Sequence, residues 1–196
     1  LVSSCGAAYG QAIRANPADP YLMLDSGGHA STVRALAFSK DGRTLYSGGD
    51  DKVVRVWDWV KGTTQRVIRV PAGEDHFGRI YALALSPDEK WLAVAADNRP
   101  ICDDITCQHI RIYSAATGEL YRSWTGGHSG AVLSLTFSSD GTRLLSSSID
   151  DTAVLWNFES GTPLKTFSGH GNSIYRAVFT TDGQRIVTGS EDRTLR

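Results

Sequence analysis

Histidine, serine and aspartate recur in this sequence at fixed offsets. Counting back from Trp57, Asp51 stands six residues away, Ser47 ten and His29 28; Asp150, Ser146 and His128 stand at the same offsets from Trp156. His170, Thr188 and Asp192 repeat the same internal spacing near the C-terminus. Serine, histidine and carboxylate are the ingredients of a hydrolytic triad, in which the carboxylate orients an imidazole that takes the proton of an attacking hydroxyl. That chemistry also needs an accessible oxygen and an oxyanion hole. Here the set occurs three times, and each hydroxyl lies in an interior-type strand. A chain from indole N–H to hydroxyl, hydroxyl to imidazole and imidazole to carboxylate suits that setting better. The sets read as structural clamps, with no catalytic residue among them.

The elements that must position these groups form a repeat. His29, His76, His128 and His170 each precede an acidic turn residue (Asp41, Asp88, Asp140, Asp182) by 12 positions, while successive histidines are 47, 52 and 42 residues apart. Constant spacing within a unit and variable spacing between units mark a structural repeat with variable loops. Within the first unit, strand-type runs begin at Val33, Thr44, Val53 and Thr64, separated by turns such as Ser39-Lys40-Asp41-Gly42. The run from Val33 to Phe38 is almost continuously apolar, which predicts an inner strand packed on both faces. A period in the forties with Gly-His near its start and Trp-Asp near its end reads as one four-stranded propeller blade. The units are about 21–58, 62–114, 119–157 and 162–196.

With Gly28-His29 and Trp57-Asp58 bounding a unit, the Asp-His-Ser-Trp set resembles the hydrogen-bonded tetrad of the WD-repeat family. The resemblance extends from Tyr21 to the end of the chain. It implies an all-β propeller of bacterial type with about four consecutive four-stranded blades. The last is incomplete, so the chain is expected to be an open fragment of a ring of about seven blades. It also implies that Tyr21-Leu22-Met23-Leu24-Asp25 is the outermost strand of the ring's last blade. The implied function is a non-catalytic scaffold that binds protein partners across its loop-rich face.

Five residues after the four histidines stand Arg34, Tyr81, Leu133 and Tyr175, with Phe77 and Arg79 in the loop before Tyr81. Arginine and aromatic side chains dominate binding hot spots, so Arg34, Phe77, Arg79, Tyr81 and Tyr175 are the candidate partner-binding residues. Two other functions stay open. One is a regulatory or sensor segment of a larger multidomain enzyme carrying a kinase, caspase-like or other effector domain. The other is a ligand- or ion-binding propeller using the insertion at 97–109.

The second unit departs from the pattern, with Val94 at the hydroxyl position and Tyr113 at the tryptophan position. Its insertion holds Cys102 and Cys107. A disulfide between them would pin the loop in an oxidising compartment. Two reduced thiols, or a metal set of Cys102, Asp103, Cys107 and His109, are the alternatives; the metal set lacks a second ligand pair at recognised spacing, so no metal is assigned.

A net charge of −1 with interspersed signs argues against nucleic acid as a partner. No apolar run reaches the roughly 18 residues of a membrane-spanning helix. No cofactor motif is present. Residues 1–20 stand outside the repeat. They read either as the tail of an export signal, with Cys5 as a lipid-anchor position, or as a linker. Export or a periplasmic site follows from the first reading, a cytoplasmic one from the second.

Overall fold

The computed structural model describes residues 28–72, 76–97 and 110–196. These residues form strands and turns, with no helix among them. The expected strand at Tyr21 to Asp25, the export signal or linker at 1–20 with Cys5, and the insertion carrying Cys102, Cys107 and His109 lie outside the described residues.

The strands form consecutive antiparallel sheets. The first contains β1 (Val33–Phe38), β2 (Thr44–Gly49), β3 (Val53–Asp58) and β4 (Thr63–Arg69) in that order. β5 (Ile80–Leu85), β6 (Trp91–Ala96), β7 (Ile110–Ser114) and β8 (Leu120–Trp124) form the second. β9 (Val132–Phe137), β10 (Arg143–Ser148), β11 (Ala153–Asn157) and β12 (Pro163–Phe167) form the third. β13 (Ile174–Phe179) and β14 (Ile186–Ser190) make a two-stranded sheet. A bridge from Gly189 to Leu195, and reciprocal bonds between Thr188 and Arg196 at 2.9 and 3.0 Å, begin a third strand on it. The architecture is an all-β array of propeller blades.

Each blade is held to the next by apolar rows on facing sheets. Tyr46, Val54 and Val56 pack with Ile80, Leu83 and Val94. Ile110, Ile112 and Trp124 pack with Val132, Leu135 and Trp156. Leu145 and Ala153 pack with Ile174 and Ala177. Burying each large side chain stabilises by about 1.5–3 kcal/mol, so these seams rather than the ladders fix the array. In the three four-stranded sheets the second strand lies deepest, which explains its small residues: a Cβ on Gly48 would meet Ile80 Cγ2 at 2.8 Å.

β1 does not match its expectation of burial on both faces. Leu36 is 61% exposed, and Val33 and Phe38 are also exposed. Leu83, at the same register one blade later, is 7% exposed because the first blade covers it. Among the described residues no neighbouring sheet covers the outer face of β1, and only Trp59 packs there, edge-on to Phe38 at 5.3 Å between ring centroids.

Candidate functional site

The recurring polar residues meet at one end of the strands. In the third blade Trp156 Nε1 donates to Ser146 Oγ at 2.8 Å, and that oxygen lies 2.7 Å from His128 Nε2. His128 Nδ1 lies 3.0 Å from Asp150 Oδ2, which also accepts the Ser129 N–H at 2.8 Å. The first blade repeats this: Trp57 Nε1 to Ser47 Oγ 2.7 Å, Ser47 Oγ to His29 Nε2 2.6 Å and His29 Nδ1 to Asp51 Oδ2 2.7 Å. In the fourth, His170 bonds Thr188 Oγ1 at 2.9 Å and Asp192 Oδ2 at 2.7 Å. One neutral tautomer serves every link, with Nδ1–H donating to carboxylate and Nε2 accepting from the hydroxyl.

These geometries position strands rather than substrates. Ser146 is fully buried and its oxygen already accepts an indole N–H, so it presents no face to an acyl group. In the first and third blades each chain links the second and third strands to the loop that enters the first; in the fourth, His170 ties that loop to the second strand and the turn after it. Burial pushes the Asp150 carboxyl up, but hydrogen bonds and charge from His128, the Thr152 hydroxyl and the Ser129 N–H outweigh it and bring it down to about 2. Asp192 is held well below the usual range, chiefly by the Thr194 hydroxyl and then by His170.

The second blade carries no such chain. Val94 is fully buried against apolar neighbours and Tyr113 is buried beside it, where desolvation pushes its phenol up. His76 has left the interior and is exposed.

The candidate contact residues divide. Phe77 is 7% exposed and packs under its loop, so it offers no side chain to a partner. Tyr175 is 52% exposed. Arg34 and Tyr81 are together: the guanidinium carbon sits 5.2 Å from the Tyr81 ring centroid. Arg34 Nη2 donates to Asp50 Oδ2 at 2.8 Å, and its Nε donates to Asp50 Oδ1. Arg79 is half-buried across the same seam. Asp50 is a residue that sequence reasoning missed. Its signal was the doublet Asp50-Asp51, of which the clamp uses only the second.

A second missed pattern lies at the opposite end of the strands. Ser39, Ser86, Ser138 and Thr180 each donate to the aspartate two residues later, at 2.6 Å for Ser39 to Asp41 and for Ser86 to Asp88. The aspartate then accepts the backbone N–H two residues on, as Asp140 does from Thr142 at 3.0 Å. These bonds hold Asp140 down to about 2, Ser138 contributing most. The acidic residues of this face are therefore turn formers. Among the described residues no group of three or more His, Cys, Asp or Glu is arranged to hold a metal, and no helix is long and apolar enough to cross a membrane.

Comparison with known sequences returns the same repeat. A family profile described as WD domain, G-beta repeat matches residues 22–58, 68–99, 118–157 and 161–196. The chain is 32% identical over 148 residues to apoptotic protease-activating factor 1 of Rattus norvegicus, covering 75% of this chain and 10% of that protein. It is 30% identical over 137 residues to transcription factor unc-37 of Caenorhabditis elegans, covering 70% and 20%. It is 33% identical over 139 residues to transducin beta-like protein 3 of Bos taurus, covering 67% and 15%. The aligned region is thus a fifth or less of each relative. All three are animal proteins and lend no support to a bacterial type.

Proposed function

We propose that this chain, which belongs to the WD domain, G-beta repeat family, is a non-catalytic scaffold that binds a protein partner on its histidine-bearing face. The observation that carries this reading is the division of labour at that face. The hydroxyl, imidazole and carboxylate sets of the first, third and fourth blades are consumed in clamps, while Tyr175 is left half exposed at the position where the first two blades place Arg34 and Tyr81. Rigid aromatics and arginines on a fixed framework supply contact area at low entropic cost. Polar-to-apolar clamping keeps the framework stiff without making the face reactive.

The test is a photo-crosslinking amino acid placed at Tyr175, and separately at Asp182 on the opposite face. A discrete protein adduct from Tyr175 and none from Asp182 is the expected result. Equal labelling from both, or none from Tyr175, removes the reading.

A second reading, a regulatory segment of a larger multidomain protein, is favoured by the small share of each relative that aligns. A reading frame that continues into an effector domain supports it, and one that encodes only further repeats overturns it.

A further inference from the structure

Every blade carries the same irregularity at the start of its first strand. The antiparallel register skips one residue there: Arg34 between the pairs Val33–Gly49 and Ala35–Gly48, and Leu133 between Val132–Ser148 and Ser134–Ser147. Tyr81 and Tyr175 are skipped in the same way in the second and fourth blades. A bulge of this kind leaves its extra residue unpaired and re-aims the side chain. One backbone bond then sets a second residue beside it. The N–H that follows the second strand donates to the carbonyl two residues before the bulge: Asp50 to Thr32 at 2.9 Å, Asp97 to Arg79 at 2.8 Å, Ile149 to Ala131 at 3.1 Å and Glu191 to Ser173 at 2.9 Å. In the first blade the pair closes on itself, with Arg34 Nη2 donating to Asp50 Oδ2 at 2.8 Å. The third blade alone has no carboxylate in the pair.

Ile149 is held in place and still reaches solvent. A Cβ on Gly130 would meet its Cγ1 at 2.6 Å, so the side chain lies along the loop that enters the blade, and 37% of the residue stays exposed. Leu133 is half-buried. The first strands follow one another around this face, β5 against β9 and β9 against β13. Tyr81 and the half-exposed Tyr175 therefore stand on the two sides of the pair. The carboxylate next in sequence, Asp150, is engaged by His128 and Thr152. Asp151 and Arg193 occupy equivalent turn positions of the third and fourth blades and are opposite in sign. A side chain settling on Leu133 and Ile149 thus strips water from no ion in the pair, as it would at Glu191.

The structure assigns the Leu133–Ile149 pair as the anchor point of this face, the seat for one uncharged aliphatic side chain of a partner's peptide segment. Tyr81 and Tyr175 flank it. The inference rests on the platform reading above and names the partner's chemistry. Aliphatic groups already fixed by the fold lose little entropy on contact, and the apolar area they cover supplies the affinity.

The probe is the peptide Gly-Ser-Leu-Ser-Gly, with Gly-Ser-Lys-Ser-Gly and Gly-Ser-Glu-Ser-Gly as charged counterparts. Each is titrated into the full chain carrying labelled leucine and isoleucine methyl groups and read by NMR. The leucine peptide is expected to move the Leu133 and Ile149 methyl signals saturably, with a Kd on the order of 1 mM, and the charged peptides to leave them in place. Leu36 and Leu164, 61% and 54% exposed, should not respond. Ile149→Asp introduces the residue type of the first two blades and should weaken binding roughly tenfold or more. Adding Leu133→Arg to it recreates the Arg34–Asp50 pair and should abolish binding, both at an unchanged thermal midpoint. A response of Leu36 or Leu164 with the same saturation overturns the inference, because the peptide is then adhering to any exposed leucine. Equal response to the charged peptides overturns it too, as does undiminished binding by the double variant. The comparisons between peptides and between leucines use the wild-type chain and decide without either variant. An adduct at Tyr175 that survives in the double variant removes the aliphatic anchor and leaves the platform standing; absence of any Tyr175 adduct in the wild type removes the platform itself.

Discussion

Trp156 donates its indole N–H to Ser146 Oγ at 2.8 Å, and both side chains are sealed from solvent. Removing the hydroxyl leaves the indole N–H and His128 Nε2 without their partner. Ser146→Ala should therefore destabilise the protein by about 1–3 kcal/mol, the usual cost of a stranded buried polar group. Trp156→Phe removes the donor together with packing against Trp124, whose ring centroid lies 5.7 Å away. Because both changes break one shared bond, the double variant should cost less than the two singles together. Denaturant unfolding of the four proteins measures this, and strict additivity would show that the bond carries no coupling.

Acid should weaken the clamps. The Asp150 carboxyl is at about 2 in the folded chain, below its ordinary 3.8. A carboxyl depressed by folding contributes stability that is full above its unfolded value and lost as pH falls through its folded value. The contribution is on the order of 2 kcal/mol, present above about pH 4 and gone below about pH 2. Asp150→Asn should lower stability at neutral pH and flatten the curve between those limits. Thermal midpoints taken from pH 2 to 7 decide it; an unchanged acid limb in the variant would assign the loss to other groups.

The first blade has a defect that the third and fourth lack. Thr152 Oγ1 donates to Asp150 Oδ1 at 2.6 Å, and Thr194 Oγ1 to Asp192 Oδ1 at 2.7 Å. Val53 stands at the equivalent position of the first blade, and Asp51 Oδ1 is buried without a partner. Val53→Thr supplies the missing hydroxyl with a side chain of nearly the same shape. It should stabilise by about 1 kcal/mol, the typical net value of one hydrogen bond. The same substitution with Asp51→Asn in the background should gain less. A stability gain independent of Asp51 would mean that the hydroxyl acts elsewhere.

The clamps were legible in the sequence because hydrogen-bonding chemistry admits few residue types, and the repeat displays them at constant offsets. The apolar strand runs were legible for the same reason, as periodic burial. Less local facts were not. Arg34 pairs with Asp50 from 16 residues away, and nothing in either residue's immediate surroundings announces the pairing. The hydroxyl two residues after Asp150 and Asp192 was present as a pattern, but a threonine beside a turn has too many ordinary roles to stand out. The release of His76 could be inferred from Val94, yet its exposure depends on how the following turn carries the chain away. The degree of burial of β1 depends on what lies beside it, and the strand's own residues carry no record of that.

Leu36 and Leu83 turn that last point into a measurement. They share a residue type, a strand and a register, and are separated by 47 positions. Leu83 is packed in the seam with Tyr46, Val54 and Val56, whereas Leu36 is exposed on the outer face of β1. Leu83→Ala removes a buried isobutyl group and leaves a cavity, so it should cost about 2–5 kcal/mol. Leu36→Ala removes an exposed group and should stay within about 0.5 kcal/mol. Urea denaturation of the chain at low protein concentration gives both values. A cost for Leu36→Ala as large as that for Leu83→Ala, and rising with protein concentration, would mean that the outer face of β1 is covered in solution by another copy of the chain.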